Sequence, residues 1–232
     1  MLVALFSEGD LLGLAGVYGY VTVVVVVAWV LRKRFSNSRK IVHVLTGGIV
    51  FFWWTFDSRL VMAGLAAMPF VALLLLATPK SPIKALRESP LGVTSTEGHP
   101  YGLVLYAISW TVIAFALFGD LYAASIAIVA MSFGDGMGSV IGERFGKIHY
   151  SPDRTVEGSA AVFTATAIGI VVLTWFYFSV IGYSGSSAPY LLAPFVVAIA
   201  GLVTLLEALI PGSIDNLVIP LMIAALLHGM GV

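Results

Sequence analysis

At 232 residues, with 59% hydrophobic and only 10% charged side chains and a mean hydropathy of +1.02, the chain is far more apolar than a soluble domain. It contains no cysteine, which excludes a disulfide framework, a thiolate nucleophile and a Cys-ligated metal. Its formal net charge is zero, and no basic-aromatic surface, P-loop, nucleophile elbow or HExxH sequence points to a nucleic-acid binder or a soluble enzyme.

A spanning helix needs about 20 apolar residues, and eight candidate spans follow in order. They cover residues 11–31, 41–57, 60–78, 101–118, 121–142, 157–178, 190–209 and 214–230. The expected architecture is an all-α, polytopic membrane helix bundle of about eight transmembrane helices, forming a single domain over residues 1–232. The first span follows Glu8 and Asp10 with no preceding Lys or Arg, so it is expected to stay as a helix rather than act as a signal peptide. Eleven of the twelve basic residues lie in the loops 32–40, 79–100 and 143–157, and only Arg59 lies on the other side. The positive-inside rule then places both termini outside and these loops, with the chemistry they carry, at the cytoplasmic face.

At the start of the second span, Arg39, Lys40 and His43 share one helix face by i, i+3 and i+4 spacing, a set able to hold phosphate. Membrane anchoring explains the two cations but not the imidazole one turn further in. The fifth span carries Asp135 in an apolar segment, with Ser132, Asp135, Ser139 and Gly142 on one expected polar stripe. An acid inside a membrane helix costs roughly 2.5–3.5 kcal/mol, so it marks a functional site unless something else explains it. Its expected role is as a Mg²⁺ ligand, because that hard cation is usually held by one or two carboxylates plus phosphates. Gly134, Gly138, Gly142 and Gly146 recur every four residues, which is the pattern of a tight packing face.

The next loop supplies Lys147 and Arg154, and the sixth span begins with Thr155, Glu157, Gly158 and Ser159. A helix N-terminus suits anions, so Arg154, Thr155 and Ser159 are candidate phosphate donors; Thr155 also reads as an N-cap. Glu207 interrupts the seventh span and calls for a proton, a cation or a metal. A Pro-Gly turn brings it close to Asp215 and Asn216, where a capping role competes with a functional one.

The ordered set Arg39-Lys40-x-x-His43, Glu97-Gly98-x-x-Tyr101-Gly102, Gly134-Asp135, Gly142, Phe145-Gly146-Lys147, Glu157-Gly158-Ser159, Glu207, Asp215-Asn216 and Pro220 resembles the CTP-dependent polyprenol kinase family. That family includes dolichol kinase and phytol kinase and is related to phosphatidate cytidylyltransferase. Two departures are mild: Arg154-Thr155 stands where Lys-Ser is usual, and Gly138 where Ala is common. The resemblance implies transfer of the γ-phosphoryl of CTP to a long isoprenoid alcohol of the phytol, geranylgeraniol or dolichol type, within membrane lipids. It implies Asp135 as a Mg²⁺ ligand with Glu157 and Asp215 as helpers, and Arg39, Lys40, Lys147 and Arg154 on the triphosphate. His43 or Glu207 would take or position the hydroxyl proton, and the sequence does not choose between them.

Two other readings compete. A CDP-lipid synthase would use the same Asp, Lys and Glu-Gly elements to release pyrophosphate. An ion-coupled transporter would use Asp135 and Glu207 to bind a cation or proton, but has no evident need for the clustered cytoplasmic Lys and Arg.

Overall fold

Helix occupies each of the eight expected spans in the computed structural model, which describes residues 6–34, 38–96, 100–183 and 192–232. The Glu97-Gly98 pair lies outside the described residues. The protein is an all-α polytopic membrane protein. Among the described residues, five helices are long and apolar enough to cross a membrane: α1 (Glu8–Leu31), α3 (Arg59–Leu76), α7 (Leu121–Phe145), α8 (Val156–Ile181) and the segment Gly212–Met230, which contains α10 (Asp215–Met230). Two more apolar helices, α6 (Gly102–Ala116) and α9 (Leu192–Leu209), are shorter. The remaining expected span begins as α2 (Ser38–Thr46) and tightens into a 3₁₀ stretch, Gly47–Thr55. Short helices α4 (Lys84–Arg87) and α5 (Pro90–Thr96) lie in the long basic loop.

The chain divides into two compact units, Met1–Phe118 and Gly119–Val232. In the first, α1 packs on α2, the 3₁₀ stretch, α3 and α5, and α6 packs on α3. Asp10 is buried in α1, where its Oδ1 accepts the backbone N–H groups of Asp57 and Ser58, both at 3.1 Å. That carboxylate caps the turn into α3. Pro69 cannot donate a backbone hydrogen bond, and α3 accommodates it immediately after a π-helical turn, Met62–Ala67.

The second unit is built around α7, whose residues 126–131 are fully buried. A helix apolar on every side belongs inside protein. It runs antiparallel to α8, and the two ends of this pair are joined differently. At one end Tyr122 and Thr174 share a hydrogen bond of 2.6 Å, as do Ser125 and Tyr177 at 2.7 Å. At the other end the recurrent glycines meet α8 directly. An added Cβ at Gly134 would collide with Thr166 Oγ1, and one at Gly138 with Val162 Cγ2.

The packing face read from the glycine spacing is therefore present. Gly138→Ala is expected to destabilise the protein by about 1–3 kcal/mol, the usual cost of overpacking. Adding Val162→Ala should recover much of the loss. Thermal midpoints of the single and double variants in detergent check this, and a fully stable Gly138→Ala protein would contradict it.

Candidate functional site

Asp135 ends a second π-helical turn, Ala130–Asp135, inside α7. Such turns widen the helix by one residue and recur at functional sites. The turn alters the expected stripe: Ser132 is fully buried and its Oγ donates to Ile128 O at 2.8 Å, whereas Asp135 and Ser139 are half-buried. Beyond Asp135 the glycines allow α8 to begin close by. Gly142 lies against Thr155 and Gly158, with its Cβ position 3.1 Å from Thr155 Oγ1.

The loop between α7 and α8 forms a small antiparallel hairpin, β1 (His149–Ser151) with β2 (Arg154–Thr155). Thr155 is the N-cap of α8, accepting from Gly158 N at 3.0 Å. Glu157 holds the segment after Gly146, its Oε2 accepting from Lys147 N at 3.0 Å and Ile148 N at 3.3 Å. This fixes the backbone of Lys147 while its side chain is exposed. Ser159 Oγ is 2.7 Å from Tyr150 OH. Of the three expected phosphate donors here, Thr155 and Ser159 are thus already in hydrogen bonds.

Arg154 is also engaged. Its guanidinium forms an ion pair with Glu207, donates to Ile210 O at 3.0 Å and reaches within 3.9 Å of Asp215 Oδ2. Glu207 and Asp215 are both buried. The Pro211-Gly212 turn, with Gly212 at φ +64°, brings the end of α9 to the start of α10 and so places both acids at one guanidinium. Asp215 Oδ1 accepts from the backbone and side-chain nitrogens of Asn216 at 2.7 and 2.8 Å. Arg154, expected on phosphate, and Glu207, expected at the hydroxyl proton, are therefore partners of each other.

In the first unit, α2 carries Arg39, Lys40 and His43. Lys40 is 9% and His43 7% exposed. A simple anchor would let its ammonium snorkel to water; Lys40 is buried instead. The His43 ring packs on Tyr106, centroids 4.8 Å apart.

Among the described residues no three His, Asp or Glu side chains form a group able to hold a metal ion. Asp135, Glu157 and Asp215 therefore do not make a preformed cage. One carboxylate, Asp135, fits the other common mode, in which Mg²⁺ is held by a single acid together with nucleotide phosphates and water.

The chain is 30% identical over 190 residues to the phytol kinase of Synechocystis sp., covering 79% of this chain and 75% of that one. The chain belongs to the phytol kinase family. It is also 31% identical over 207 residues to a probable chloroplastic phytol kinase of Triticum aestivum, covering 84% and 68% of the two chains. A probable phytol kinase 1, chloroplastic, of Oryza sativa subsp. japonica is 28% identical over 157 residues, 63% of this chain and 48% of that one. No protein-family model matches the chain, and no solved structure matches it.

Within this phytol kinase family member, three features had no clear sequence signal. The π turn at Asp135 follows from packing, not composition. The Arg154–Glu207 pair joins residues 53 positions apart, and a hairpin turn in the sequence showed only that Glu207 and Asp215 approach each other. Asp10 read only as an acid before an apolar run, although an acid in a membrane helix is itself a signal.

Proposed function

We propose that this chain transfers the γ-phosphoryl of CTP to the hydroxyl of a long-chain isoprenoid alcohol at the cytoplasmic membrane face, giving a lipid monophosphate and CDP. The observation that carries this reading is the half-buried Asp135 carboxylate on a π turn of an otherwise apolar helix, in a member of the phytol kinase family. The charge distribution, with eleven of twelve basic residues in three loops, supports the cytoplasmic placement.

In this reaction the alcohol oxygen bonds to the γ-phosphorus, the bond from that phosphorus to the bridging oxygen of CDP breaks, and the hydroxyl proton passes to a base. Such transfer is governed by positioning and charge stabilisation. Asp135 would hold a Mg²⁺ ion together with the nucleotide phosphates, and the ion would neutralise charge on the phosphate oxygens. Lys147, on a backbone pinned by Glu157, contributes a cation to the nucleotide, and Arg39 and Lys40 are further phosphate ligands. His43 takes or orients the hydroxyl proton in preference to Glu207, because the Glu207 carboxylate is already engaged by Arg154. Arg154 and Asp215 then serve to fix the start of α8 against the α9–α10 turn.

The deciding experiment supplies purified protein with γ-labelled CTP, Mg²⁺ and separate panels of isoprenoid alcohols and lipid phosphates. Label is expected in the alcohol panel as a lipid monophosphate. Pyrophosphate release with the lipid phosphates instead would replace the kinase with a CDP-lipid synthase.

A further inference from the structure

The apolar interior of the first unit is not filled by its own side chains. A cavity of about 40 Å³, partly open to the outside, is lined by Val42, Phe70, Leu74, Leu103, Tyr106 and Trp110 with their neighbours. All six of these residues are buried. Protein interiors normally contain few voids larger than a water molecule, and one water needs only about 10–15 Å³ of such space. Thr46, also on the wall, turns its hydroxyl onto Val42 O at 2.6 Å, so it does not make the space polar.

We infer that this space is a subsite for the hydrocarbon tail of an isoprenoid alcohol, an inference that rests on the lipid-alcohol kinase reading above. The occupant follows from what surrounds the pocket. Its wall is aliphatic and aromatic, with Phe70 and Trp110 stacked at 5.8 Å and Trp53 behind Trp110 at 6.3 Å. This suits a chain with no polar group along its length. One helix, α2, presents Val42 and Thr46 to the pocket and carries the buried Lys40 and His43 on its adjoining face. The His43 ring rests on Tyr106, itself part of the wall. A molecule in this pocket therefore has a cation and an imidazole beside one helix of its binding site, which matches an apolar chain ending in a hydroxyl that becomes a phosphate.

Filling the pocket from two walls tests the assignment. Ala107→Phe adds a ring from α6 and Val42→Phe adds one from α2, both at lining positions. Each variant is expected to lose about tenfold or more in kcat/KM for a C20 isoprenoid alcohol while a C10 alcohol is affected about twofold, because apolar pockets discriminate by the contacts each added carbon makes. Equal losses for both chain lengths, or no loss for either, would overturn the subsite.

A binding experiment separates this inference from the kinase reading. A C20 isoprenoid alcohol carrying a diazirine should label peptides from α2 and α6 in the wild-type protein, and far less in both variants. A straight-chain C20 alcohol should compete poorly. Labelling at these peptides without any phosphoryl transfer would leave the subsite standing and remove the kinase reading. Phosphoryl transfer with labelling elsewhere, or unchanged in the variants, would do the reverse. Equal competition by the straight chain would make the pocket a general lipid cavity and overturn the isoprenoid assignment.

Discussion

Asp135→Asn is expected to lower phosphoryl transfer at least about a hundredfold, the scale on which loss of one preorganised electrostatic group acts. The amide keeps the size and half-buried setting of the carboxylate but gives up its charge. It should be tolerated by the π turn, and folding and insertion should be close to wild type. Turnover at saturating Mg²⁺ and CTP, on protein whose thermal midpoint is unchanged, is the measurement. Substantial activity would remove Asp135 from the phosphate-metal site. An inactive variant with a collapsed midpoint would instead make the acid a structural element of α7.

Arg154→Met is expected to act on stability first. It leaves Glu207 and Asp215 buried without their shared guanidinium, and breaking a buried pair by removing one partner costs about 3–5 kcal/mol. The double variant Arg154→Met/Glu207→Leu should recover part of this, since it removes one stranded acid as well. Thermal midpoints of the three proteins decide the matter. If Arg154 serves chiefly as a phosphate ligand, its single variant will keep the wild-type midpoint and lose CTP affinity, and the buttress role fails.

The difference between these two residues shows what the sequence discloses. Asp135 stands out because a lone acid among apolar residues is costly, a cost that can be read without knowing its neighbours. The same argument found Glu207 but not its partner, because an ion pair between residues 154 and 207 depends on how α9 packs against α8. Helix positions were legible from apolar length, and the glycine face from its four-residue period, since both are properties of one segment. The π turns were not, because a widened turn is settled by what the helix packs on. The 3₁₀ stretch Gly47–Thr55 was hidden for a related reason: its residues are apolar enough for a spanning helix, and composition does not report the tighter winding. The Thr155 cap was legible from residue type, whereas the hairpin that precedes it, only five strand residues in total, was read as loop.

The position of α7 bears on how the chain is made. Of the five helices among the described residues that are long and apolar enough to cross a membrane, α7 is the most enclosed by protein, and it carries the costly acid. A nascent helix leaving the translocon can trade water for lipid only on the strength of its own side chains, and α7 spends part of its length on serine, glycine and aspartate. Its partner α8 follows after a loop of only ten residues, 146–155, and supplies the surface on which the α7 glycines pack and the hydroxyl partners of Tyr122 and Ser125.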